Sequence, residues 1–119
     1  MEGKAKKELG QKGEDFAVEL LTQEGLILVK RNYRCPKGEI DIIGWDKKVL
    51  VFVEVRTRRT GQKGWGEESI TATKQRRLRQ VASYYILEAG YKDWPSIRFD
   101  VVALQWSENT PKSLWIRGI

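Results

Sequence analysis

Two acids and a base occupy one short stretch of the chain: Asp41, then twelve residues, then Glu54, with Arg56 two positions beyond. Carboxylates are hard oxygen ligands, and two or three of them held together bind Mg2+ or Mn2+. Such an ion polarises a phosphoryl oxygen and lowers the pKa of a bound water, the two needs of phosphodiester hydrolysis. On a strand Arg56 points the same way as Glu54, where it stabilises negative charge on a pentavalent phosphate. The plainer reading pairs Arg56 with Asp41 or Glu54 as a salt bridge that helps hold a sheet together. The chain has no histidine, which removes Ser-His-Asp and Cys-His catalysis and every His-ligated metal site. A single cysteine, Cys35, excludes an intrachain disulfide and fits a reducing compartment.

The charge is placed as unevenly as the acids. Among 119 residues, 22 are basic and 16 acidic, a formal balance of +6. The segment from Arg56 to Arg79 carries that whole excess: Arg56, Arg58, Arg59, Lys63, Lys74, Arg76, Arg77 and Arg79 against Glu67 and Glu68. A continuous basic stretch is the electrostatic footprint of a polyanion, and a phosphate backbone is the commonest such partner. A solvated helix face is the bland alternative. Gln75, set among these residues, joins them as a candidate nucleic-acid contact.

These residues need a scaffold. The spacing of Phe16, Ala17, Leu20 and Leu21 predicts a helix over Glu8 to Glu24, stopped by Gly25 and preceded by a loose basic end, Met1 to Lys7. Leu26 to Asn32 reads as a strand that leads to a Cys35-Pro36-Lys37-Gly38 turn. Glu39 to Trp45 and Val49 to Arg56 flank a tight polar turn and form a hairpin. The glycines at 61, 64 and 66, around Trp65, make Thr57 to Gly66 a mobile loop. A second helix runs from about Thr73 to Ala89, with Leu78, Val81, Ala82, Tyr85 and Ile86 on one face and basic residues on the other. Ile97 to Gln105 is a further strand, beside which Leu114 to Ile119 pairs back. Trp45, Trp94, Trp106 and Trp115 are assigned to packing, and Asp100 to an ion pair with Arg98.

In Val49 to Val55 both alternating faces are apolar, so this strand is central in a sheet covered on both sides. The expected fold class is therefore α/β: one small three-layer domain, residues 1–119, with a mixed β-sheet flanked by helices. No apolar run approaches the roughly 20 residues that cross a bilayer, and no signal segment opens the chain, so the expected location is cytoplasmic. With Trp45 opposite Lys48 in the hairpin, Asp41 faces Phe52 and Glu39 faces Glu54, so that Asp41, Glu54 and Arg56 share one face. A bulge would split the set.

The pattern Asp41, Glu54-Val55-Arg56 resembles the core of the PD-(D/E)XK nuclease superfamily. An ordered series resembles the YraN-like family of small bacterial proteins: Gly13-Glu14, Asn32-Tyr33-Arg34, Gly38-Glu39-Ile40-Asp41, Phe52 to Arg56, Lys74-Gln75-Arg76-Arg77-Leu78 and Arg98 to Val102. The resemblance covers about residues 8 to 105. It implies a restriction-endonuclease-like fold, similar to archaeal Holliday junction resolvases, and a Mg2+-dependent endonuclease acting on DNA, branched DNA included. By position, Glu14, Asp41 and Glu54 resemble the metal-binding acids, and Arg56 stands where the superfamily has lysine. Arginine keeps its proton and so cannot act as a general base; Lys74 is the alternative source of that group. Gln80 and Tyr84 match a QxxxY pattern of some related nucleases. A catalytically inactive nucleic-acid-binding module on the same fold is the second expectation, and RNA stays open beside DNA. Junction cutting requires two active sites, so a homodimer is the assembly to look for.

Overall fold

The computed structural model of the protein describes residues 2–59, 71–106 and 111–119. Its elements follow the order α1 (Glu2–Gln23), β1 (Ile27–Cys35), β2 (Gly38–Asp46), β3 (Val49–Arg59), α2 (Ala72–Ala89), β4 (Ser96–Trp106) and β5 (Lys112–Arg117). The five strands form one sheet in sequence order, with β3 and β4 parallel and the other neighbours antiparallel. This is the mixed-sheet α/β domain that the residues predict, of the restriction-endonuclease-like type that the resemblance implies. No described helix is long and apolar enough to cross a membrane.

β3 lies at the centre and feeds both cores. Leu50 and Phe52 pack with Ile40, Ile43 and the α2 residues Leu78, Val81, Ala82, Tyr85 and Ile86. Val51 and Val53 pack on the opposite face with Ile42, Val102, Leu104 and the α1 residues Ala17 and Leu21. Parallel pairing with β4 is compatible with this double burial, because α2 supplies the crossover and covers one face as it returns.

Local chemistry sets the helix ends. Gly25, at φ +106°, lets the Leu26 N–H reach Leu21 O (2.9 Å) and its own N–H reach Thr22 O (3.1 Å). Those two bonds make a Schellman stop, and its usual apolar clasp is the pair Leu21 and Leu26, both buried in the same cluster. Thr71 caps α2 by accepting the Lys74 N–H at 3.1 Å. Gly90, in the left-handed region, ends that helix with its N–H on Leu87 O.

Several boundaries differ from the sequence reading. α1 begins at Glu2, so the expected loose end is helical backbone. β3 continues through Arg59, where pairing with β4 as far as Trp106 extends it past the expected loop start at Thr57. The hairpin turn is Lys47-Lys48, with Asp46 opposite Val49 and Ile43 opposite Phe52. Phe52 therefore faces Ile43 and not Asp41. Trp94 is 56% exposed and does not belong to the core.

β4 carries a buried charge beside Val53 of β3. Asp100 is 1% exposed. It accepts Arg98 Nε and Nη2 at 2.9 Å each, Trp115 Nε1 at 2.9 Å and the Gly118 N–H at 3.0 Å. Arg98 also reaches Asp46 at 3.0 Å, which ties β2, β4 and β5 together. With its oxygens fully engaged, Asp100 performs the structural role assigned to it and takes no part in the acidic group. Asp100→Ala should cost about 3 kcal/mol, since it leaves Arg98, the indole and a backbone N–H without their anion. Urea unfolding at neutral pH measures this as a lower midpoint with an unchanged slope.

Candidate functional site

The site lies where two strands part. β2 and β3 pair from Asp46↔Val49 to Ile42↔Val53 and no further. Continued in register, Asp41 would face Glu54 and Ile40 would face Val55. Instead the Asp41 carboxylate takes the bond that the ladder would have made: Oδ2 accepts the Val55 N–H at 2.7 Å. Asp41 can do this because side-chain alternation breaks around it. Ile40 packs in the α2 core and Ile42 in the α1 core, although they stand two positions apart, a spacing that should put them on one face. Asp41 is thus turned into the gap between strands. It does not share the face of Glu54 and Arg56, which uniform alternation would require.

Glu54 and Arg56 do share a row. They follow Leu50 and Phe52 on the α2 side of β3, and Arg56 Nη2 lies 3.5 Å from Glu54 Oε1. α2 delivers the closer cation. Lys74 precedes Leu78 by one helical turn, so it prolongs the buried face beyond its last apolar residue, and its Nζ sits 2.7 Å from the same Glu54 oxygen.

Glu14 enters from the other layer. Its neighbour Gly13 lies against Thr57, where any Cβ would collide with the threonine Oγ1, so glycine allows α1 to settle on β3. Arg31 of β1 reaches Asp15 at 2.7 Å and Glu14 at 3.8 Å. Glu39 is drawn off to a surface pair with Arg34 at 3.3 Å, so it does not meet Glu54.

Asp41 is the shared neighbour of the acids. Burial, followed by repulsion from Glu14, Glu54 and Glu39, pushes its pKa up to about 6, and the Val55 N–H only partly opposes this. Burial also raises Glu14, while the Arg31 guanidinium lowers both Glu14 and Asp15. Glu14 Oε1 and Glu54 Oε2 are buried without a hydrogen-bond partner. Such orphaned oxygens are costly in a protein that has no further use for them.

Among the described residues, no group of three His, Cys, Asp or Glu side chains is placed to hold a metal ion. Mg2+ rarely uses such a group; it keeps several waters and takes one or two carboxylates together with substrate phosphates. The residues fit that habit. Asp41 and Glu54 supply hard oxygen donors flanked by Glu14, and two of the oxygens in the group, Glu14 Oε1 and Glu54 Oε2, lack a hydrogen-bond partner.

The basic candidates divide. Arg58 continues the Glu54 and Arg56 row by strand alternation. Arg76, Arg77 and Arg79 project from the exposed side of α2, and Gln75 is half-buried beside Leu78, Phe99 and Ile119. Lys63 and Trp65 lie outside the described residues, as does the side chain of Arg59. Gln80 and Tyr84 lie on α2, where Gln80 is exposed and Tyr84 is 38% exposed. Arg31 and Asn32 were not singled out from the sequence as chemical groups. For Asn32 the residue type was the available signal, because asparagine tolerates the left-handed region better than most residues.

The ordered motifs that converge here have counterparts elsewhere. The model of Uncharacterised protein family UPF0102 matches residues 13–104. The chain belongs to the UPF0102 family. A UPF0102 protein of Desulfitobacterium hafniense is 49% identical over 114 residues, covering 93% of this chain and 94% of its own. One from Caldicellulosiruptor saccharolyticus is 47% identical over 97 residues, 82% of this chain and 81% of its own. Another, from Dictyoglomus thermophilum, is 40% identical over 103 residues, 87% and 86% of the two chains. The matched span in the UPF0102 chain runs from Gly13, which seats α1 on β3, to Leu104 of the core. It therefore contains every acid of the notch.

The raised pKa makes Asp41 a stability liability of known sign. The folded protein holds this proton up to about pH 6, whereas the ordinary carboxyl value is 3.8. Stability is therefore lost as pH rises through that window, and the full penalty applies above it. Asn can accept the same Val55 N–H without the charge. Asp41→Asn should raise the melting temperature by about 4 °C at pH 7, the equivalent of roughly 1 kcal/mol. Near pH 4 the gain should vanish, as followed by calorimetry across the range.

Proposed function

We propose that this UPF0102 protein is a divalent-cation-dependent endonuclease that hydrolyses phosphodiester bonds of DNA, with branched DNA among its substrates. The observation that carries the reading is the turned Asp41, placed in a strand gap between Glu14 and Glu54 with Lys74 and Arg56 on Glu54. Acids that repel one another beside an apolar core cost stability, and a role in binding cations accounts for their being kept together.

Asp41 and Glu54 would hold Mg2+ or Mn2+, with Glu14 at the margin. The ion supplies Lewis acidity toward a phosphoryl oxygen and toward water. Lys74 screens Glu54 in the free protein and is the mobile cation nearest to an incoming phosphate. A guanidinium is too strong a base to give up its proton and serve as a general base, so the part of Arg56 is to orient and neutralise. Arg58, Arg59, Lys63, Arg76, Arg77 and Arg79 hold the backbone phosphates, and Gln75 adds a hydrogen bond. Two copies would offer the two notches that a symmetric junction needs. The free thiol of Cys35 suits a reducing compartment, and we place the activity in the cytoplasm.

The test is cleavage of labelled duplex, single-stranded and four-way DNA, beside an RNA duplex, with Mg2+, Mn2+ or chelator. Metal-dependent nicking is expected. Asp41→Asn should lower it by at least about a thousandfold, the several kcal/mol that a metal ion contributes. Salt-sensitive binding without cleavage, unchanged or tightened by Asp41→Asn, would instead establish an inactive nucleic-acid-binding module.

A further inference from the structure

The break in alternation at Asp41 has a partner across the sheet. β1 and β2 keep one register from Arg31↔Ile42 through Tyr33↔Ile40 to Cys35↔Gly38. Asn32 therefore stands across from Asp41, between those pairs. Both strands change faces at this point. Arg31 reaches toward α1 through Asp15 and Glu14, whereas Tyr33 belongs to the α2 core. Ile42 and Ile40 divide in the same way. Asn32 has φ +52°, one of two non-glycine residues with positive φ among those described. A single left-handed residue in a strand rotates the residues after it, and the opposed strand must turn with them if pairing is to survive on both sides.

The geometry points to Asn32 as the positioning residue of the site: its left-handed backbone turns Asp41 out of the sheet faces and into the gap, where it meets the Val55 N–H. Among non-glycine residues, asparagine is one of the few that tolerate this conformation. Its part in cleavage rests on the reading of Asp41 as a site acid. Its effect on the Asp41 to Val55 bond does not.

The two parts are tested separately on the full chain. Glycine adopts φ +52° without strain and alanine does not. Amide exchange by NMR at Val55, referenced to Val53 and Val101, reports the Asp41 bond without metal or DNA. Asn32→Ala should accelerate Val55 exchange by about tenfold or more, the loss of one charge-assisted bond, and Asn32→Gly should leave it within about twofold. If Asn32→Ala fails to fold while Asn32→Gly folds with Val55 protected, the backbone role stands. Unchanged Val55 protection in a folded Asn32→Ala protein overturns it, and so does equal loss in both variants. Where the parent protein cleaves DNA, Asn32→Ala should lower kcat by about tenfold with KM little changed, and Asn32→Gly should recover most of it. A parent protein that does not cleave defeats the nuclease reading and leaves the Val55 result to decide this one.

Discussion

One hydrogen bond replaces a strand ladder. Where β2 leaves β3, the Val55 N–H would otherwise lose its partner inside a layered protein, and an orphaned buried N–H costs about as much as a lost hydrogen bond. The Asp41 carboxylate fills that place at 2.7 Å. This satisfies the backbone and at the same time brings a charge to a site where burial and three neighbouring acids oppose it. The splayed strands, the raised pKa and the cations gathered around Glu54 all trace back to that substitution.

The cost is carried by the rest of the sheet. β3 pairs with β4 along its whole length, from Val49↔Ser96 to Arg59↔Trp106, so losing β2 beyond Val53 does not release it. Both faces of β3 remain sealed up to that point by Phe52 on one side and Val53 on the other, each 1% exposed or less. On β4, in register with Val53, Asp100 is buried to 1% exposure, yet it meets an arginine, an indole and a backbone N–H. The two aspartates show the same physics with opposite outcomes: a buried carboxylate is stable where cations and donors surround it, and poised where other carboxylates do.

Much of this was legible in the residues. The double alternation of Val49 to Val55 marked the central strand, and the apolar stripe of α2 marked its buried face. Leu50, Phe52, Ile43 and Trp45 were placed together correctly even though the hairpin turn was set one pair out, because that slip preserves parity. Parity misled at Asp41, since period-two reasoning assumes an unbroken strand, and a left-handed Asn32 is a backbone event with weak sequence signature. Glu39 was lost to the site for the same reason. The reach of Lys74 could be read from its spacing of four before Leu78, but its choice of Glu54 depends on how far the helix overlaps the strand. That overlap is set by packing across the layer. Arg31 was invisible because β1 and α1 meet only in three dimensions.

The cations around the acids are not equivalent, and their stems explain why. Arg56 is fixed to the strand that carries Glu54 and, at 3.5 Å from it, forms the longer contact. Lys74 comes from a different element at 2.7 Å, on a flexible four-carbon stem whose compact charge can be drawn to another anion without moving the backbone. Glu54 Oε2 meanwhile has no partner, so the carboxylate is held by one oxygen and left open at the other. On the proposed reading, a phosphate that attracts Lys74 relieves the first oxygen of its nearer cation, and Glu54 becomes a stronger ligand when substrate is present. Arginine at position 56 keeps the row positive throughout that exchange. Arginine at 56 and lysine at 74 thus put the more flexible charge on the helix and the more rigid one on the sheet.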